Sequence, residues 1–432
     1  MLKLGFAEAD ITPPLGQRIV GHFNDIYVER INDPLFARAM ALDNEQAFIF
    51  ITCDLLSIRR STVMEIRRRI EEATGLPADH VSVSATHTHT GPCTTRVFGS
   101  DPDPVYMEML IAGAARAGIE AYQKRVPGTL TAAWGFEGKL SHQRRFMMRD
   151  GKARMHPPKG STDILYQEGP SDPEFAVLWG EEESGQPLGC WVNYACHVNS
   201  AQCGTTITAD YPGFLAAAMK RHQHESFVTL FGNGTCGNLC QIDVYDPDRH
   251  DVGLAWSQHM GEELAKDVLR VVPEGEKLDD PLLEHRAAMV PLPLRHLPED
   301  LIDWAREMQN APKSENFVER TYADMALELL DQQRIEPLAP AEINAFRIDD
   351  FAVVTLPGEV FVEFGLDIKL KSPAKRTWVV ELANGVVGYV PTTLAFEGGG
   401  YEQRTATSSK LDPVAGEMMV ATARALLESM FR

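Results

Sequence analysis

Two imidazoles separated by one threonine, His87 and His89 in "VSVSATHTHTGP" (81–92), are the first residues whose types and spacing could do chemistry. In a helix, positions i and i+2 diverge by roughly 200°; in a strand they share a face, about 6 to 7 Å apart. Val81, Val83 and Ala85 alternate with Ser82, Ser84 and Thr86, which predicts a strand with one apolar side. His87 and His89 continue the apolar parity, so both rings aim beyond the core edge, where Gly91 and Pro92 stop the strand. A metal ligand beside a proton-transfer group is one reading; a hydrogen-bonded strand end is the other.

Other capable groups also follow apolar β runs. His197 follows "WVNYAC", Asn233 and Gly234 follow "FVTLF", Glu359 follows "FAVVTLPG", and Tyr389 lies in "NGVVGYVPTT". Strand ends under loops are common places for sites. Two imidazoles and a carboxylate from separate strand ends suit zinc, which takes N and O donors at about 2.0 to 2.2 Å and keeps a position open in catalytic sites. The absence of an HExxH motif excludes one way of building such a site.

The elements that must position these groups alternate. An apolar run at 47–56 precedes a helix at 61–75, in which Thr62 and Glu65 have capping-box spacing and Gly75 is the stop. Helices are predicted at about 104–124, 249–271 and 413–430, with a hairpin around Asp349 and Asp350. A charged amphipathic block at about 297–335 reads as a solvated helical excursion. The mixed order predicts an α/β, or α+β layered, architecture: mixed β-sheets flanked by helices in a single large catalytic domain spanning 1–432.

Bulk composition narrows the function. Against 61 acidic residues stand 41 lysines and arginines, a net charge of −20, which argues against nucleic acid and anionic membranes as partners and for a small-molecule substrate. No transmembrane run and no leader pattern stand in the sequence, so a cytoplasmic location is expected. The seven cysteines, an odd number without a CxxC pair, fit reduced thiols.

Taken together, these residues and their surroundings resemble the catalytic domain of the neutral ceramidase family. "GFAEADITPP" is similar to the family's G-x-x-x-A-D-I-T-G-P, and "SATHTHTGP" to its A-T-H-T-H-S-G-P. "DPLFARAMALD", "YACHVNS", "TADYPG", "GTCGN", "LPGEVF" and "GYVPTT...YE" follow in the family's order over nearly the whole chain. The resemblance implies His87, His197, Glu359 and Tyr389 as zinc ligands, and His89 as the neighbour that contacts substrate or shuttles a proton. It implies Tyr401 and Arg144 as stabilisers of the carbonyl or oxyanion, and Gly21 as a backbone donor near the scissile group. Gln143 stands where the family usually has Asn, and Cys240 where it has a serine considered a nucleophile. The family's immunoglobulin-like domain and secretion signal find no counterpart, so a small soluble metabolite is expected in place of a membrane sphingolipid.

The expectation is a zinc-dependent hydrolase of an amide or related acyl bond that uses a metal-activated water. Two alternatives stand beside it. One is a metal-independent hydrolase with Cys240 as nucleophile, which needs a thiolate; the other is a non-catalytic, zinc-stabilised binding protein.

Overall fold

Apolar strands of the first half assemble into one large mixed sheet in the computed structural model, which describes residues 1–20, 26–96, 101–310 and 317–431. Its strands run in the order Val228–Asn233, Pro187–Tyr194, Glu174–Glu182, Val126–Phe136, Lys3–Asp10, Phe36–Asn44, Gln46–Cys53 and Val81–Ala85, with Glu276–Leu278 joined to Val126–Phe136. The two outermost pairs are parallel and those between antiparallel. A second, four-stranded sheet orders Leu283–Pro293, Leu338–Ile348, Phe351–Thr355 and Arg376–Val380.

The two sheets share an aromatic core. Phe48 and Phe50 of the first meet Phe346 of the second at ring-centroid distances of 5.2 and 4.8 Å, and Trp191 approaches Trp378. Aromatic pairs at such spacings contribute beyond their buried area. Helices cover the outer faces: Arg60–Thr74 and Pro104–Gln123 on one part of the large sheet, Asp210–His222 and Leu254–Val271 on another. Val362–Lys371 and Ala415–Met430 cover the small sheet. The expected layered α/β architecture is what the chain adopts.

Local departures have physical causes. The Thr62–Glu65 capping box does not form: the helix starts at Arg60, Arg59 is its N-cap without a side-chain bond, and Thr62 is buried. Glu65 is held by Arg68 and Arg69 on the same helix. Gly75 does end that helix, at φ 74°, a left-handed cap. The charged block contains helices Glu299–Asn310 and Phe317–Ile335. It is not wholly solvated, because Ala305, Ala323, Ala326 and Leu329 join the core over the small sheet. No helix among the described residues is long and apolar enough to cross a membrane.

Candidate active site

Strand Val81–Ala85 ends before either histidine, so the pleat does not set their direction as expected. His87 instead has φ 78°, a left-handed conformation that costs a non-glycine residue on the order of 1–3 kcal/mol. Its surroundings hold that turn: the His87 backbone N–H donates to the Leu55 carbonyl at 2.8 Å, and Nδ1 lies 2.8 Å from the Leu56 carbonyl. The His89 N–H donates to the Val198 carbonyl at 3.0 Å, tying the turn to the segment that carries His197. The two rings converge through this turn, with centroids 4.8 Å apart and planes at 83°.

His197 enters from beyond Pro187–Tyr194 with Nδ1 3.4 Å from the Cys236 carbonyl. A carbonyl can only accept, so Nδ1 of both His87 and His197 carries the proton, and each neutral ring presents a lone pair at Nε2. Burial holds His197 well below the usual histidine range, and the adjoining His87 imidazole and the Arg144 guanidinium act the same way. The two Nε2 atoms lie 2.9 Å apart, and Glu359 Oε2 is 3.3 Å from that of His87 and 4.0 Å from that of His197. Glu359 Oε2 is itself buried without a hydrogen-bond partner. With each ring's proton placed at Nδ1, the two Nε2 lone pairs and the Glu359 oxygen face one another, an arrangement that a cation would satisfy. Donors about 2.0 to 2.1 Å from a tetrahedral zinc ion are spaced by about 3.3 Å, which falls within the 2.9 to 4.0 Å spread of these three atoms, so the donor types suit such an ion and their spacing approaches it. His89 Nε2, 3.4 Å from His87 Nε2, makes a second triad possible, since His87, His89 and His197 all place a nitrogen within 4.8 Å of one another.

Glu359 and Tyr389 reach this point together, as Cα partners in a two-residue parallel ladder of Glu359–Val360 with Tyr389–Val390. Tyr389 and Tyr401 meet edge to face at 5.7 Å. Burial, then nearby groups that include the Glu359 carboxylate, pushes both phenols well up, so they are neutral donors. His87, His89, Glu359, Tyr389 and Tyr401 line one cavity of about 240 Å³, and Met325 of Phe317–Ile335 adds an apolar wall.

Arg144 does not line that cavity. It lies behind Tyr389, with Nη2 3.3 Å from the phenol oxygen and 2.8 Å from the Gly237 carbonyl, and Nε 2.8 Å from Glu402. Its contacts are with the Tyr389 phenol and the Glu402 carboxylate, not with the cavity where an oxyanion was expected to meet it. Cys240 is fully buried, with its thiol pushed up to about 12 by that burial, and it too is absent from the cavity wall. His156 lies 3.8 Å from the sulfur, but burial and Arg144 lower that imidazole to about 4, which leaves a weak base. These surroundings do not generate a thiolate. Gly21 lies outside the described residues.

Glu381, Glu402 and Arg145 support the site and escape a reading of the sequence. Glu381, fully buried, accepts from the Val360 N–H at 2.8 Å and from the Cys236 thiol at 3.0 Å, bracing the segment that carries Glu359 and the loop whose Cys236 carbonyl meets His197. Glu402 joins Arg144 to Arg145, and Arg145 also holds Glu168. Their signals were an acid ending the apolar run "WVVEL" and acid and base neighbours of the site residues. Asn233 links the Thr86 carbonyl, at 3.2 Å, to the Glu381 backbone N–H, at 2.9 Å, so its role is to hold the frame.

No family model matches the sequence, and no curated protein matches it. Solved structures do. A neutral ceramidase from Pseudomonas aeruginosa superposes with a TM-score of 0.78 at 18% identity, over 99% of this chain and 75% of that one. A structure described as ceramidase complexed with C2 gives 0.77 at 17% identity, over the same shares. The resemblance read from dispersed motifs therefore extends to three dimensions: over nearly its whole length, the chain has the neutral ceramidase fold.

Proposed function

We propose that this protein is a zinc-dependent hydrolase that cleaves an amide, or a related acyl bond, in a small substrate. One observation carries the reading: two imidazole lone pairs and the partnerless oxygen of Glu359 converge at the edge of a cavity. A structural ion would be enclosed, whereas these donors border space for a substrate, which favours an enzyme over a zinc-stabilised binding protein. The ligands are His87, His197 and Glu359, joined by Tyr389, with His89 beside them. Zinc bound there supplies Lewis acidity and lowers the pKa of water toward about 7.

The chain's own residues complete the reaction. Hydrolysis adds water across the acyl C–N bond, its oxygen going to the acyl carbon and a proton to the leaving nitrogen. His89 Nε2, next to the ligands and on the cavity wall, moves that proton. The neutral Tyr401 phenol donates to the oxygen on which negative charge develops. Arg144 acts through Tyr389, fixing the phenol it touches. The shared fold with ceramidases supports an amide as the bond. Seven cysteines without a disulfide fit a reducing, cytoplasmic setting.

The test is a panel of N-acyl amides, esters and lactones offered to zinc-loaded and chelator-stripped protein, with bound zinc measured in parallel. Turnover of an N-acyl amide that disappears on stripping and returns with zinc is the expected result. Undiminished turnover by stripped protein, or no turnover of any compound, would overturn the proposal.

A further inference from the structure

The cavity beside the donors carries a charge pattern at odds with the rest of the molecule. The chain has a net charge of −20, yet among the described residues Arg59, Arg96 and Lys410 stand on the cavity wall against a single carboxylate, that of Glu359. Glu359 is aimed at His87 and His197, so it does not serve these cations. Arg96 is spent on Glu328, at 2.8 Å, and on Asp101. Arg59 and Lys410 differ: both are half-buried, and neither has an ion pair or side-chain hydrogen bond among the described residues.

An unpaired cation removed from water is costly, and protein cations so placed are ordinarily paired. Burial lowers the Lys410 ammonium below the usual lysine range, with no carboxylate opposing the effect. Arg59 is also the N-cap of helix Arg60–Thr74, whose first turn has no acid, so the helix dipole adds to its positive charge. Leu56, Met325 and Val386 supply an apolar wall to the same space. One cavity thus offers ligand-capable donors, apolar surface and two cations without a compensating partner among the described residues. The chain's overall negative charge does not contradict this, because charges beyond about 8 Å are screened at physiological salt while those inside the cavity act at contact.

Resting on the hydrolase reading above, we propose that the cavity selects N-acyl compounds bearing an anionic group, a carboxylate or a phosphate. Lys410 and Arg59 hold the anion while the acyl carbonyl lies at His87, His197 and Glu359. Hydrolysis then releases a carboxylic acid and an anionic amine, as cleavage of an N-acyl amino acid does.

The probes are N-butanoylglycine, its neutral amide N-butanoylglycinamide, and N-butanoyl-aminomethylphosphonate, given to the zinc-loaded full chain. At least one anionic compound is expected to exceed the neutral amide in kcat/KM by about tenfold or more, and the better of the two identifies the anion. Lys410→Met and Arg59→Met are expected to raise KM for that compound and shrink its advantage toward unity, with Lys410→Arg restoring part of it. Equal or better hydrolysis of the neutral amide, or an advantage that survives both substitutions, would overturn the proposal. If no compound is turned over, the hydrolase reading fails separately and calorimetric binding decides this one. Tighter binding of an anionic probe, lost in Lys410→Met, sustains it; equal binding, or none, overturns it.

Discussion

Glu359 and Tyr389 are register partners in a two-residue parallel ladder, so a carboxylate and a phenol from separate segments arrive side by side at the imidazole pair. Glu359→Gln leaves the ladder's backbone bonds intact and removes the charge that balances a cation. Zinc affinity is expected to fall by about 100-fold or more, and Tyr389→Phe to lower it by about 10-fold. Competition with a chromophoric chelator measures both; unchanged affinity in Glu359→Gln would remove the carboxylate from the ligand set.

His89 separates the two candidate triads. As a proton-transfer group, its replacement in His89→Ala leaves zinc bound while kcat falls by about 10² to 10⁴. If the metal is lost with the imidazole, the set of three histidines is the coordinating one. Metal content and kcat measured on the same preparation distinguish these outcomes.

The large features were legible because they follow from periodicity. Alternation marked the strands, the hairpin at Asp349 has the positive φ, 55°, that a tight turn demands, and Gly75 capped its helix. His87 and His89 were visible as a pair, but what unites them is a left-handed turn, which strand parity does not encode. The Glu381 brace and the Arg144–Glu402–Arg145 network join segments distant in sequence, and no local pattern announces such contacts. The dispersed motifs carried that information only as a resemblance.

The Arg144–Glu402 pair makes a stability prediction. Burial alone would raise the Glu402 carboxyl, but Arg144 and Arg145 outweigh it and hold the group below the usual range. A depressed carboxyl stabilises the fold fully above its unfolded pKa of about 4.3 and loses that contribution as pH falls through the folded value. Glu402→Gln, which leaves two buried arginines short of a carboxylate, is expected to cost about 3–5 kcal/mol at pH 7. Urea denaturation should show the difference from wild type shrinking below about pH 4. A difference constant from pH 7 to pH 3 would contradict the assigned linkage.

Cys240 offers a clean discrimination between mechanisms. A buried thiol pushed up to about 12 is protonated at neutral pH and no nucleophile. Cys240→Ala protein with a wild-type circular dichroism spectrum is expected to retain kcat/KM within about threefold, since a protonated thiol away from the cavity wall makes a poor nucleophile. A loss of about 100-fold or more in folded protein would reinstate the cysteine mechanism.

Whether His87, His197 and Glu359 hold a catalytic zinc ion is read most directly from metal content by plasma mass spectrometry. Wild-type protein dialysed against limiting zinc is predicted to hold about one zinc ion per chain, and His87→Ala and His197→Ala to lose it together with N-acyl amide hydrolysis. Either variant retaining both full zinc and full activity would contradict the account.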